Sequence, residues 1–295
     1  MSNLTVAEIE QVLRGYAAGD VFGVAFEFVE YRGEIDPDCL LEKEGWPYGG
    51  VSDDSLLSLL TIESLNPKSS QLSQDKFLAE LELSIPRLRG LGPTTRAALG
   101  LPVKVHELPQ VGISNGALMR TSLLGLAFQE SEAGERRHFV RALAETTHKS
   151  ATAIGCALIG SALFADARSH GNAHSAYEVA RRELELIEED IALSDWSEPI
   201  CTGVSNESTE TLNAVLWALK TSTCARDALQ ISCELGGDTD TVAALTTALI
   251  VARERGAADF QSIPWLKDIL WSDISGLSSA ALFLHNLYQE KKIIS

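Results

Sequence analysis

The sequence predicts an all-α fold, one compact multi-helix bundle spanning residues 1–295 as a single domain. Three observations carry that expectation. Apolar residues recur at the i, i+3, i+4 spacing of a helix from end to end, and convincing period-2 alternation is lacking. No Ser/Gly/Pro linker, low-complexity run or step in composition divides the chain, and its 45% hydrophobic content is enough for one large core.

The first helix opens at Thr5, which forms a capping box with Glu8 ahead of Val6, Ile9, Val12, Leu13 and Tyr16. Further helices read at residues 55–65, 73–84, 94–100, 116–128, 135–147 and 150–168. From Ala176 to Leu193, Tyr177, Ala180, Leu184, Ile187 and Ile191 form one apolar stripe, which turns Glu183, Glu185, Glu188, Glu189 and Asp190 toward solvent. The remaining helices read at residues 207–221, 225–235, 241–255, 263–272 and 277–291. Three long irregular stretches, Val29–Val51, Gly100–Ser114 and Asp195–Ser205, are the places where such a fold carries function.

Charge narrows the choice of partners. The chain has 41 acidic and 24 basic residues, a net charge of −17, and a pI near 4.7. A field of that sign repels phosphate backbones and anionic lipid, so neither nucleic acid nor membrane is an expected partner. Counting apolar residues finds no run of the ~18 that a membrane span needs, and Met1–Thr5 lacks the features of a secretory leader. Cys39, Cys156, Cys201, Cys224 and Cys233 are odd in number and have no C-x-x-C spacing, which points to reduced thiols in a cytoplasm.

The informative feature is a pair of acidic helix starts far apart in sequence. Gly49-Gly50-Val51-Ser52-Asp53-Asp54-Ser55 precedes Leu56-Leu57-Ser58-Leu59-Leu60, and Gly236-Gly237-Asp238-Thr239-Asp240-Thr241 precedes Val242-Ala243-Ala244-Leu245. In each, a glycine pair turns the chain and carboxylates fall on the first helical turn among unpaired N–H groups. An N-cap needs one side-chain oxygen, and these segments offer four carboxylates and several hydroxyls. If the helices pack side by side, the clustered anions need a cation, and oxygen-only donors select Mg²⁺, Mn²⁺ or Ca²⁺.

These segments resemble the metal-ligand motifs of the ADP-ribosylglycohydrolase family, the ADP-ribosyl-acceptor hydrolases that include the dinitrogenase reductase-activating glycohydrolases. The resemblance continues in order along the chain. It takes in Gly19-Asp20-Val21-Phe22-Gly23 with Glu27, Gly90-Leu91-Gly92-Pro93-Thr94-Thr95, Ser114-Asn115-Gly116-Ala117-Leu118-Met119-Arg120, Thr147-His148, and Thr211-Leu212-Asn213-Ala214-Val215-Leu216-Trp217. It implies two Mg²⁺ ions, or Mn²⁺, held by Ser52, Asp53, Asp54, Asp238, Asp240 and Thr241. Ser52 stands where the family usually has threonine, which keeps the oxygen and loses a methyl group.

By the same resemblance the reaction is metal-assisted hydrolysis of the bond between ADP-ribose and a modified side chain. Glu27 or Asp54 takes the proton from the attacking water. Glu27 follows the apolar run Val21–Phe26, so a partly desolvated carboxyl is expected there. Substrate contacts are expected from Gly92, Ser114, Asn115, Gly116, Met119 and His148, with the Ser114-Asn115-Gly116 helix start as an anion site that Arg120 assists. Asp20 is expected to be a structural hydrogen-bonding residue.

The implied partners are an ADP-ribosylated protein and ADP-ribose. Arginine linkage is the first expectation, and serine linkage or small ADP-ribose derivatives remain open. Two departures bear on this point. No aromatic residue lies between Trp196 and Trp217, and Arg87-Leu88-Arg89 stands where some arginine-cleaving relatives place an aspartate. The alternatives are an immunity protein that also occludes an ADP-ribosylating toxin or transferase, and a non-catalytic crystallin-like protein on the same fold.

Overall fold

The computed structural model describes residues 3–30, 33–187, 189–194, 203–256 and 258–292. Its long elements are all helices: α1 (Val6–Val24), α2 (Asp53–Ser64), α3 (Ser70–Ser84), α4 (Pro93–Ala98), α5 (Gly116–Thr121), α6 (Ala133–Ala144), α7 (Ala151–His170), α8 (Ala176–Ile187), α9 (Ser208–Thr221), α10 (Ala225–Glu234), α11 (Thr239–Arg253), α12 (Ala258–Gln261) and α13 (Leu277–Lys292). Among the described residues there is no strand, and only two isolated bridges, Ser114 with Glu207 and Val204 with Gly237, tie loops together.

The capping box at Thr5 forms as expected: Thr5 N donates to Glu8 Oε2 at 2.7 Å and Glu8 N donates to Thr5 Oγ1 at 3.3 Å. At the centre lies α11, buried without interruption from Thr239 to Ala252, as befits a helix apolar on every side. It packs on α1, α7, α9 and α10. The α1 contact is close enough for backbones to touch. Gly15, Gly19 and Gly23 recur every four residues and share one face of α1. A Cβ on Gly19 would lie 2.2 Å from Ala243 O, and one on Gly23 would lie 2.4 Å from Asp240 Cα.

On another side of α11, α7 is 20 residues long with a mean hydropathy of 1.2, values that would suit a membrane span and that the count of apolar residues missed. Burial of 78% of that stretch inside the protein makes it a core helix.

Several elements differ from the sequence expectation, each for a local reason. The helix expected over 116–128 gives way after Thr121 to a 3₁₀ segment, Ser122–Ala127, where Gly125 lies so close to α7 that a Cβ would be 2.0 Å from Ser161 O. The helix expected over 263–272 is two 3₁₀ turns, Pro264–Asp268 and Trp271–Ile274, because Leu270 N donates to Gly49 O at 2.8 Å instead of continuing a helix. A 3₁₀ turn at Val105–Gln110 and the short α12 were not expected. Residues 195–202 of the third long loop, including Cys201, lie outside the described residues. The other four cysteines are free thiols.

The acidic face of α8 needs a correction. That helix ends at Ile187, Glu188 lies outside the described residues, and Glu183 is buried. Ala176, Val179, Ala180 and Glu183 share the inward stripe. Glu183 accepts from Arg136 Nη2 at 2.8 Å and Arg137 Nε at 2.9 Å, while Glu189 pairs with Arg141 at 3.3 Å. Glu183→Ala is expected to cost about 3 kcal/mol, the low end for breaking a buried pair. The low end applies because Arg136 keeps Leu158 O at 2.9 Å and Ser161 Oγ at 2.6 Å. Urea denaturation should show the midpoint fall at unchanged slope, and an unmoved midpoint would refute the assignment.

Candidate metal centre

The start of α2 is built by the chain before it and by α1. Gly49 has φ +70, and a Cβ there would sit 2.0 Å from Asp268 O, so only glycine fits. Ser52 caps the helix, its Oγ accepting from Asp54 N at 3.0 Å. Asp20 of α1 satisfies further orphan donors, accepting from Ser52 N at 3.1 Å, Ser55 N at 3.1 Å and Ser55 Oγ at 2.5 Å. This is the structural hydrogen-bonding role expected for Asp20. Asp53 and Asp54 fill the first turn and are nearly inaccessible.

The start of α11 has the same logic. Gly236 and Gly237 take φ +67 and +77. Asp238 N donates to Val204 O at 2.9 Å, and Thr239 Oγ1 donates to Gly23 O at 2.7 Å. The two acidic segments meet where Thr241 Oγ1 donates to Asp54 Oδ2 at 2.8 Å. Glu27, just past α1, completes the cluster: one carboxylate oxygen from each of Glu27, Asp238 and Asp240 lies within 4.8 Å of the others. Six residues expected as ligands, Ser52, Asp53, Asp54, Asp238, Asp240 and Thr241, are thus buried in two facing helix starts.

Burial pushes every one of these aspartates upward, and their mutual repulsion adds to it. Asp53 rises to about 8, through burial first and then Asp20, Glu27 and Asp238. Asp20 and Asp238 rise to about 6 through burial, against the lowering effect of their hydrogen bonds. Asp54 and Asp240 are pushed well above the usual range, again through burial and neighbouring carboxylates. Anions this crowded call for an external cation, and carboxylate and hydroxyl donors fit a hard divalent ion.

Because these folded-state values exceed the ~4 of an unfolded aspartate, the metal-free protein takes up protons on folding. The contribution of these carboxyls to stability is fully present below about pH 4 and is lost as the pH rises toward about 8, by about 1.4 kcal/mol per pH unit for each carboxyl between its two values. Urea midpoints in EDTA should show that decline, and millimolar Mg²⁺ or Mn²⁺ should flatten it. A flat profile in EDTA would count against this electrostatic picture.

Glu27 is partly desolvated, as expected: it is a quarter exposed, and its Oε2 accepts from Lys43 Nζ at 2.8 Å, a partner not expected from the sequence. Lys43 in turn lies over the Trp46 ring at 5.5 Å. Trp46 flanks the Gly90 loop, where a Cβ would be 3.1 Å from Asp53 Oδ1. Gly92, the residue before α4, has open space where a side chain would stand.

The Ser114-Asn115-Gly116 segment braces the centre from beneath. Asn115 Nδ2 donates to Thr211 Oγ1 at 2.9 Å and, by a short bond, to Asp238 Oδ2. Asn115 N is taken up by Asn206 O at 2.8 Å, and Ser114 and Asn115 are themselves buried. Ser114 Oγ donates to Thr94 Oγ1 at 2.7 Å and lies 3.2 Å from His148 Nε2. The other ring nitrogen of His148 faces Thr147 Oγ1 at 2.9 Å. His148 is wholly buried, and burial followed by nearby Arg120 holds it down at about 3. It is a neutral packing partner for Gly116, whose Cβ would touch the ring at 3.2 Å.

Two further expectations are corrected. Met119 is core, its backbone oxygen accepting from Tyr16 OH at 3.1 Å. Arg120 is fully buried, donating to Leu143 O at 2.8 Å and Thr147 Oγ1 at 2.9 Å over the Phe77 ring; it faces no solvent-borne phosphate. Reading the sequence missed Lys43, Trp46, the support given by Thr94 and Thr211, and the glycine face of α1. Of these the four-residue repeat Gly15, Gly19, Gly23 left a pattern to find, and Thr94 and Thr211 lie in segments already quoted for the resemblance.

Comparison with known proteins agrees with this architecture. A family model described as ADP-ribosylglycohydrolase matches residues 2–291. Thirty-nine chains of solved structures match. One, described as an ADP-ribosylglycohydrolase-related protein complex, superposes with a TM-score of 0.67 over 96% of this chain and 98% of its own at 20% identity, a likeness in fold. No curated protein matches.

Proposed function

Because the chain belongs to the ADP-ribosylglycohydrolase family, we propose that it hydrolyses the bond between ADP-ribose and a modified protein side chain, arginine first, in a reaction dependent on two Mg²⁺ or Mn²⁺ ions. The observation that supports this most is the meeting of the two acidic helix starts with Glu27 around one point. Ser52, Asp53, Asp54, Asp238, Asp240 and Thr241 would hold the ions. When bound, these supply positive charge that offsets the carboxylates and acts as a Lewis acid toward the distal ribose hydroxyls.

The chain's own groups divide the remaining work. Water adds to the anomeric carbon as its bond to the side chain breaks; the water proton goes to a carboxylate and the leaving nitrogen or oxygen takes up a proton. Glu27 is the better proton carrier, since a quarter of its side chain meets solvent while Asp54 is buried with Oδ2 occupied by Thr241. Asn115 holds Asp238 in place. Gly92 leaves room at the rim for substrate, and the ring of Trp46 lies near Gly90 of the same loop, whereas the 203–217 region offers no aromatic before Trp217. Neither toxin occlusion nor a purely structural role has an observation in its favour.

The test is a release assay. Arginine- and serine-ADP-ribosylated proteins are incubated with the purified chain, with Mg²⁺ or with EDTA, and free ADP-ribose is measured. Release from the arginine substrate that EDTA suppresses is the expected result. Release from neither substrate, or release indifferent to EDTA, would overturn the proposal.

A further inference from the structure

At the end of α7, remote from the acidic centre, Asp166 and His170 stand one helical turn apart and His174 folds back onto them. We propose that Asp166, His170 and His174 form a second cation site, one for a nitrogen-preferring transition metal such as Zn²⁺. One donor atom from each of the three lies within 4.8 Å of the others. His174 Nδ1 is 2.7 Å from Asp166 Oδ1, and the two imidazole rings lie 4.8 Å apart between centroids. Glu130 brings a further carboxylate to 3.4 Å from His170 Nε2.

The backbone fixes this arrangement. Gly171 turns the chain at φ +59, its N–H donating to Ala167 O at 2.9 Å, and Ala173 N donates to His170 O at 3.2 Å. Arg253, at the last turn of α11, donates to the carbonyl of His174. Asp240 and Arg253 lie at opposite ends of α11, about 20 Å apart at ~1.5 Å per residue, so the two centres are separate. Both histidines are about one-third exposed, at 33% and 34%, while Asp166 is at 11%. The site therefore has a more sheltered anionic floor and an open side for entry.

Its chemistry differs from that of the acidic centre. Two imidazoles and one carboxylate favour Zn²⁺ and its neighbours over Mg²⁺. A tetrahedral ion with bonds of about 2.0–2.2 Å spaces its donors about 3.4 Å apart, and one donor atom from each of the three already lies within 4.8 Å of the others. The ion takes the place of the proton between His174 Nδ1 and Asp166 Oδ1, and that proton leaves to solvent. Arg182, half exposed and 3.4 Å from Asp166 Oδ1, is the cation that must give way.

The full-length protein in excess Mg²⁺ is titrated with Zn²⁺ against a chromophoric chelator. One equivalent is expected to bind. His170→Ala and His174→Ala should each weaken it at least ~10-fold, and Arg182→Ala should tighten it several-fold by freeing Asp166. Co²⁺ should give a visible absorption band that His174→Ala removes. No Zn²⁺ bound, binding unchanged by either histidine substitution, or an Arg182→Ala protein that binds no tighter would each overturn the site.

Discussion

Asp53→Asn is expected to lower ADP-ribose release at least ~100-fold in Mg²⁺ and, in EDTA, to raise the urea midpoint. The two effects have opposite signs because the same charge acts in both. In the metal-free protein burial, and after it Asp20, Glu27 and Asp238, lifts Asp53 to about 8. At pH 7 the unfolded chain would ionise it freely, so folding gives up a few kcal/mol on this carboxyl alone. Asparagine is neutral in both states, and its amide can donate to the carboxylates that repelled Asp53. With a divalent ion present the balance reverses, since the substitution removes an anionic ligand and weakens the site. Activity assay and denaturation on one preparation check this. Loss of both activity and stability would make Asp53 a structural residue, and retention of activity would remove it from the proposed ligand set.

Gly23→Ala is expected to abolish measurable release and to cost 3 kcal/mol or more, beyond the ~1–3 kcal/mol of ordinary overpacking. The added methyl group would meet Asp240 Cα at 2.4 Å, Thr239 O at 2.5 Å and Asp240 N at 2.6 Å. All three are backbone atoms that no rotamer change can move aside. α1 must therefore shift from α11, carrying Glu27 away from Asp238 and Asp240, and a displacement near 1 Å is enough to cost about 100-fold in rate. Gly134→Ala in α6, with nothing within 4 Å of its added Cβ, is the matched control and should be neutral or mildly stabilising. Release from Gly23→Ala at the parental rate would show that the close contact does not set the site.

Much of this was legible in the sequence. The helical period located most elements, and the two glycine-led diacid segments identified the acidic centre because turn, cap and charge are local properties of short stretches. Packing partners were not legible. Arg120 looked like a phosphate ligand until the fold buried it against Leu143 and Thr147, and Glu183 looked solvated until two arginines of α6 reached it. Lys43 and Trp46 escaped notice because their role depends on how an irregular loop meets Glu27 and Gly90, which no period encodes.

The contact between α1 and α11 joins residues more than two hundred positions apart, Gly23 and Asp240. At about 5–20 residues per second, some 10–40 s separate synthesis of Gly23 from that of Asp240. Throughout that interval the nascent chain carries α1 with its glycine face unfilled. Assembly of the acidic centre is thereby deferred until α11 has been made, because a chain stalled short of α11 lacks Asp240.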